Sequence, residues 1–290
     1  MIKKGFSHIG IFFLYLLSLF PIPVLHFFAR LLYYPLYYIV GYRKKVVRDN
    51  LLYSFPEKSL KEIIRIEKSF FKYLADLMFE IIKLPKMSKT ELYKRVKFNG
   101  LEQVEAYFSK GESVLACTGH YGNWELCMLA LGINLNEPCY VIYKPINNKI
   151  FENWFQQMRT RFGNVFVPMR QTLRSVVATK DIPTMYCFAS DQTPVKQETQ
   201  YTLQFLNQST AVLLGLEKIA LQTDRPIFYF DVLKVKRGYY EVNCVPLCLK
   251  PSATQEHEIT NLLFNYLEKR ITETPDFWLW SHRRWKINRK

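Results

Sequence analysis

Apolar residues open the chain almost without a break. The run over positions 9–29 follows Lys3 and Lys4, ends at Arg30, and is succeeded by an aromatic-rich stretch over 31–42. About 20 apolar residues suffice to cross a bilayer, so the run has the length for a transmembrane helix. Pro21 and Pro23, with His26 close behind, interrupt it, and proline breaks a continuous helix. Two dispositions therefore stay open for this leader, residues 1–42: a membrane span, or a broken, interfacial or re-entrant hairpin. A buried core helix is the plainer alternative. A cleaved signal peptide fits less well, because the run exceeds the usual length and no small-residue cleavage site follows it.

Over 59–84 the pattern changes to steps of three and four, with Ile63, Ile66, Phe70, Leu74, Leu77 and Ile81 on one stripe and Pro85 as the stop. That spacing predicts a long amphipathic helix. Downstream, short apolar runs of strand length (113–118, 140–143, 165–167, 184–189 and 227–235) alternate with helical stretches (124–131, 148–162, 171–180, 209–223 and 255–272). Strands alternating with helices predict an α/β fold: one domain over 43–290 with a mostly parallel mixed sheet flanked by helices. Arg237-Gly238 between two strand-like runs predicts a hairpin, and with it an antiparallel part late in the sheet.

Composition sharpens the leader more than the domain. Aromatic residues form 16% of the 290, and tyrosine and tryptophan favour positions that are apolar at one end and wet at the other. The formal charge of +15 favours anionic partners. Arg43, Lys44, Lys45 and Arg48, just past the leader, suit either anionic head groups on a cytoplasmic face or a solvated helix face. Nucleic acid is set aside as a partner, because no zinc-finger spacing, RNP-like strand or basic zipper region is present. The six cysteines form no Cys-x-x-Cys pair and sit in apolar runs, which reads as reduced core residues and no metal site.

The strongest local chemistry is Thr118-Gly119-His120-Tyr121-Gly122-Asn123-Trp124-Glu125, where an apolar strand ends and a helix begins. Ligand sites in open α/β sheets collect at such strand ends. A histidine there can serve as a general base near neutral pH, and a carboxylate in the first helical turn is positioned to hold its other ring nitrogen. Gly119 and Gly122 allow a tight turn, and free amides at the helix start suit a developing oxyanion. No Gly-x-Ser-x-Gly elbow is present to favour a serine hydrolase.

The block His-Tyr-Gly-Asn-Trp-Glu resembles the His-x4-Asp/Glu block of the lauroyl and myristoyl transferases of bacterial lipid A biosynthesis. The resemblance recurs along the chain, in Tyr143-Lys144-Pro145-Ile146-Asn147-Asn148, Arg159-Thr160-Arg161-Phe162-Gly163-Asn164, Ser190-Asp191-Gln192, the segment 205–215 and the C-terminal Phe277-Trp278-Leu279-Trp280-Ser281-His282-Arg283-Arg284-Trp285-Lys286. Three positions depart from the family pattern. Lys144 stands where arginine is common, Asn207 where glycine is usual, and no glycine follows Asp191-Gln192. The resemblance implies an acyltransferase at the bacterial inner membrane with its catalytic domain on the cytoplasmic face. His120 would deprotonate an acceptor hydroxyl and Glu125 would orient and charge it. Asn123, Arg159, Arg161, Asp191, Gln192, Arg283 and Arg284 are the expected substrate-binding residues. It implies no cofactor and no metal, acyl carrier protein or acyl-coenzyme A as donor, and an anionic lipid A precursor as acceptor. Another membrane lipid as acceptor, or a non-catalytic lipid-binding protein, are the alternatives.

Overall fold

A computed structural model describes residues 2–195 and 199–287, with side chains from Ser7 onward. The leader forms two helices, α1 (Ile2–Ser18) and α2 (Ile22–Tyr34), and a π-helical turn over Pro35–Ile39. Pro21 stands at the N-cap of α2 and Pro23 in its first turn, where a missing N–H costs nothing. The prolines thus divide the apolar run. At about 1.5 Å per residue, helices of 17 and 13 residues reach only about 26 and 20 Å, short of a hydrocarbon core about 30 Å thick. No helix of the described residues is long and apolar enough to cross a membrane, so the membrane span, one of the dispositions open for the leader, is not supported.

The helices α3 (Lys44–Ser54) and α4 (Leu60–Lys83) follow. Ser59 and Glu62 close a reciprocal capping box at the start of α4. Its apolar stripe is buried from Ile63 to Leu77, with Ile81 half-buried, and α2 lies against this helix through buried Leu25, Ala29 and Tyr33 and a stacked Phe28–Phe79 pair. Three of the four residues of the basic cluster are engaged internally, Lys44 with its ammonium 3.8 Å from the centre of the Tyr37 ring. Arg48 pairs with the buried Glu67 of α4, and Arg43 donates to the carbonyl of Ser281.

The rest of the chain runs α5 (Lys89–Arg95), β1 (Val96–Asn99), α6 (Leu101–Phe108), β2 (Val114–Thr118), α7 (Trp124–Asn134), β3 (Cys139–Tyr143), α8 (Lys149–Arg159), β4 (Val165–Pro168), α9 (Thr172–Ala178) and β5 (Met185–Ala189). It ends with β6 (Tyr201–Phe205), β7 (Gln208–Val212), α10 (Gly215–Thr223), β8 (Ile227–Lys236), β9 (Tyr239–Cys248) and α11 (Glu258–Glu273). Seven strands form one sheet in the order β1-β9-β8-β2-β5-β3-β4, parallel throughout except for the β8–β9 hairpin, which turns at Arg237-Gly238. Alternate residues of β2 feed two cores. Val114 and Ala116 join the α6/α7 side, and Leu115 and Cys117 join the side built by α4, α10 and α11.

The helix expected over 209–223 begins only at Gly215, because residues 208–212 pair with β6 in a separate hairpin rich in β-favouring residues. Leu206 and Asn207 turn that hairpin with φ of 51° and 60°. Asparagine tolerates the left-handed region better than most residues, and Asn207 also donates to the carbonyl of Ser54.

Candidate active site

Strands β2 and β5 are parallel neighbours with Thr118 opposite Ala189. The chain therefore leaves both strands at one level, and His120 and Asp191, each two residues past a strand end, meet at the carboxyl edge of the sheet. His120 Nδ1 lies 2.5 Å from Asp191 Oδ1. Asp191 Oδ2 accepts from the His120 backbone N–H (2.9 Å) and from the indole N–H of Trp278 (2.8 Å). Three donors thus converge on one buried carboxylate. Burial by itself would raise the Asp191 carboxyl, but the adjacent histidine and these hydrogen bonds hold it well below the usual carboxylate range. Burial would lower His120, and the charge and hydrogen bond of Asp191 outweigh it, so the imidazole is pushed up from its ordinary value.

With Nδ1 facing a carboxylate, Nδ1 carries the proton of the neutral ring and Nε2 is its basic nitrogen. The Gln192 amide lies 3.0 Å from Nε2, and the Trp124 indole stands edge-on to the ring at 5.0 Å between centroids. The loop itself is braced from two sides. Tyr73 of α4 donates to the Gly122 carbonyl (2.5 Å), while the C-terminal segment exchanges backbone hydrogen bonds with it, from Gly122 N–H to Phe277 and from Leu279 N–H to His120.

The ring partner expected from the spacing, Glu125, does not reach the ring. It lies in the first turn of α7, and its carboxylate pairs with Arg159 at the end of α8, through Nε at 2.9 Å and through Nη2. Helical geometry turns that side chain towards the neighbouring helix, whereas Asp191 arrives from the adjacent strand. Glu125 still adds to the proton affinity of His120 through space, and Arg159 opposes it. The Arg159 guanidinium is packed beside Phe155 and Phe166, and its Nη1 takes no part in the pair.

Of the other expected substrate-binding residues, Gln192 stands at the histidine and three are turned to structural work. Asn123 is fully buried, capping α7 through Leu126 N–H and donating to Glu80. Arg161 donates from Nη1 to the carbonyls of Leu84 and Met87, closing the end of α4. Arg284 is 1% exposed, over the Phe264 ring, with Nη2 donating to the Ala211 carbonyl. Arg283 is exposed, and its carbonyl accepts from Thr193. Trp278 belongs to the C-terminal block of the resemblance, but its contact with Asp191, like the places of Tyr73 and Glu80 beside the loop, was not anticipated. For Glu80 a signal existed: a carboxylate three residues from Leu77 on the apolar side of a helix demands partners.

The family profile for bacterial lipid A biosynthesis acyltransferases matches residues 1–287. The chain belongs to that family. A lipid A biosynthesis palmitoleoyltransferase of Escherichia coli K12 is 23% identical over 246 residues, covering 84% of this chain and 79% of its own. A lipid A biosynthesis acyltransferase of Haemophilus influenzae is 25% identical over 281 residues, 94% of this chain and 85% of its own. The E. coli lipid A biosynthesis lauroyltransferase is 22% identical over 247 residues, 84% of this chain and 79% of its own. The protein is accordingly an O-acyltransferase, and the histidine loop of this acyltransferase tolerates little change. Gly122 has φ of +58°, and a Cβ there would lie 2.7 Å from Val232 Cγ1. Gly122→Ala is expected to destabilise the fold by about 1–3 kcal/mol, read as a lowered Tm, since backbone strain and overpacking each cost about that much. An unchanged Tm would show that β8 yields without cost.

Proposed function

We propose that the protein moves a fatty acyl chain from the thioester of acyl carrier protein to a hydroxyl of a phosphorylated lipid A precursor, with His120 as general base. The observation that carries this reading is the His120–Asp191 pair at the sheet edge, with Nε2 as the basic nitrogen. The acceptor hydroxyl replaces the Gln192 amide at Nε2 and gives its proton to the ring as its oxygen attacks the thioester carbonyl carbon. The C–S bond of the tetrahedral intermediate then breaks, and the leaving thiolate takes the proton back from the imidazolium. No acyl-enzyme is needed. Arg159, held by Glu125, offers Nη1 to the developing oxyanion or to a phosphate of the acceptor, since a guanidinium fork suits both.

The names of the relatives support a lipid A acceptor, and the net charge of +15 supports both an acidic carrier protein and a phosphorylated lipid. The leader lies in the membrane interface in this reading. Phe12, Phe13 and Leu19 of the first helix region, with Phe27, Leu31 and Ile39 beyond it, are each more than half exposed, an apolar surface that a lipid boundary covers. Six buried free thiols support a reducing compartment, hence the cytoplasmic face.

The substrate assignment is tested with wild-type protein in lipid micelles, a labelled acyl chain on either carrier protein or coenzyme A, and a lipid A precursor beside a lysophospholipid. Transfer to the precursor, faster from the carrier by about tenfold or more, is expected; an acidic carrier gains that much from about 1.4 kcal/mol of extra attraction. Label found only on the lysophospholipid overturns the acceptor. No transfer to either leaves a lipid-binding protein.

A further inference from the structure

Behind the catalytic loop lies a carboxylate that the reaction never touches. Glu80, on α4, is 1% exposed. Its Oε1 is 3.0 Å from His26 Nε2, on the leader helix α2. Its Oε2 accepts from Asn123 Nδ2 and from the hydroxyl of Tyr240 on β9, each at 2.8 Å. Burial pushes this carboxyl up, but the three hydrogen bonds and the histidine bring it below its ordinary value. Helix α2 is pinned at the same level by Arg237, which donates to the His26 carbonyl and pairs with Asp76 of α4.

We infer that His26 and Glu80 are positioning residues for acyl transfer: through Asn123 they hold the 119–123 loop, and with it His120, so that the leader is part of the catalytic scaffold as well as an attachment to lipid. The inference rests on the acyl-transfer reading above. Asn123 is the link, because one end of its amide caps α7 and the other ends on Glu80. Without His26 the buried carboxylate is one donor short and draws in a proton or water, which weakens its hold on Asn123. The loop carries two glycines and has little stiffness of its own, so its position is set by such partners. A displacement of about 1 Å at a reacting group costs about a hundredfold in rate. The hydrogen bonds from Tyr73 and to Phe277 keep part of the geometry, so a loss of about tenfold is expected here.

The experiment compares wild type, His26→Ala, His26→Gln and Tyr240→Phe in the full chain, each labelled with 15N-histidine. Four quantities are read: the His120 Nδ1 proton resonance, assigned by its loss in His120→Ala; kcat; acceptor KM; and binding to anionic phospholipid vesicles. His26→Ala is expected to displace the resonance and lower kcat about tenfold, with acceptor KM and vesicle binding as in wild type. His26→Gln, whose amide N–H reaches the same carboxylate, restores both. If the resonance and kcat stay at wild-type values, or the loss falls wholly on KM and vesicle binding, the leader is an anchor only and the inference is overturned. If His26→Ala fails to fold, Tyr240→Phe, which removes one hydroxyl from the same carboxylate, carries the same expectations. If wild type transfers no acyl group, the acyl-transfer reading fails separately. The resonance then decides alone, displaced supporting the positioning and undisturbed rejecting it.

Discussion

The His120→Ala variant is expected to lose acyl transfer by about 10²–10⁴-fold, the range a positioned general base contributes. The loss should appear in kcat and kcat/KM alike, because the proton moves only as the hydroxyl attacks, and substrate binding before that step does not use the imidazole as a base. Truncation to alanine also leaves the buried Asp191 carboxylate without its imidazole partner, so a lowered Tm is expected beside the lost activity. Measured with folded protein of equal abundance, well below the Tm of the variant, a loss below about tenfold would mean that the histidine is structural and that another group takes the proton.

Replacing Asp191 by asparagine is expected to cost nearly as much, about 10²-fold or more, and to leave a signature in the pH profile. Three donors point at this carboxylate, and an amide brings a fourth into the same space. The backbone N–H and the buried indole cannot turn away, so the imidazole does. It accepts at Nδ1, and its proton moves to Nε2, the nitrogen that must receive the proton of the acceptor. Titration gives the second readout. The ring works as a base only when neutral, so transfer rises as pH passes its pKa from below. In wild type Asp191 pushes that pKa above its ordinary value, which places the acid limb above about pH 6.5. Asp191→Asn removes the main raising influence, and its residual activity should show the limb at lower pH. Glu125→Gln should move it less, because Glu125 acts on the ring only through space and against Arg159. A larger shift from Glu125→Gln than from Asp191→Asn would make Glu125 the ring's partner in the working enzyme.

The two carboxylates show where sequence reasoning stops. A His-x4-Glu spacing places both residues in one strand-to-helix turn but leaves the direction of each side chain open. Gly122, at φ of +58°, and the first turn of α7 aim Glu125 at α8. Asp191, 71 residues later, reaches the ring because β2 and β5 are paired in register, a contact that no local pattern encodes. Asn123 and the arginines divide for the same reason. Asn123, Arg161 and Arg284 satisfy buried carbonyls, a helix start or a carboxylate, and only packing reveals which orphaned groups need them.

By itself the sequence determined the α/β class, the amphipathic helix that became α4, the β8–β9 hairpin and the strand-end loop with His120, because each depends on a period or a turn within a few neighbouring residues. It also marked Pro21 and Pro23 as a break in the leader. Only the tertiary structure decided that the leader folds into two short helices with α2 against α4, that residues 208–212 pair with β6, and that Asp191, Trp278 and Glu80 complete the surroundings of the histidine loop. Those outcomes rest on contacts between residues far apart in the chain. Burial and hydrogen-bond satisfaction choose such contacts, and both are properties of the whole packed molecule rather than of any one segment.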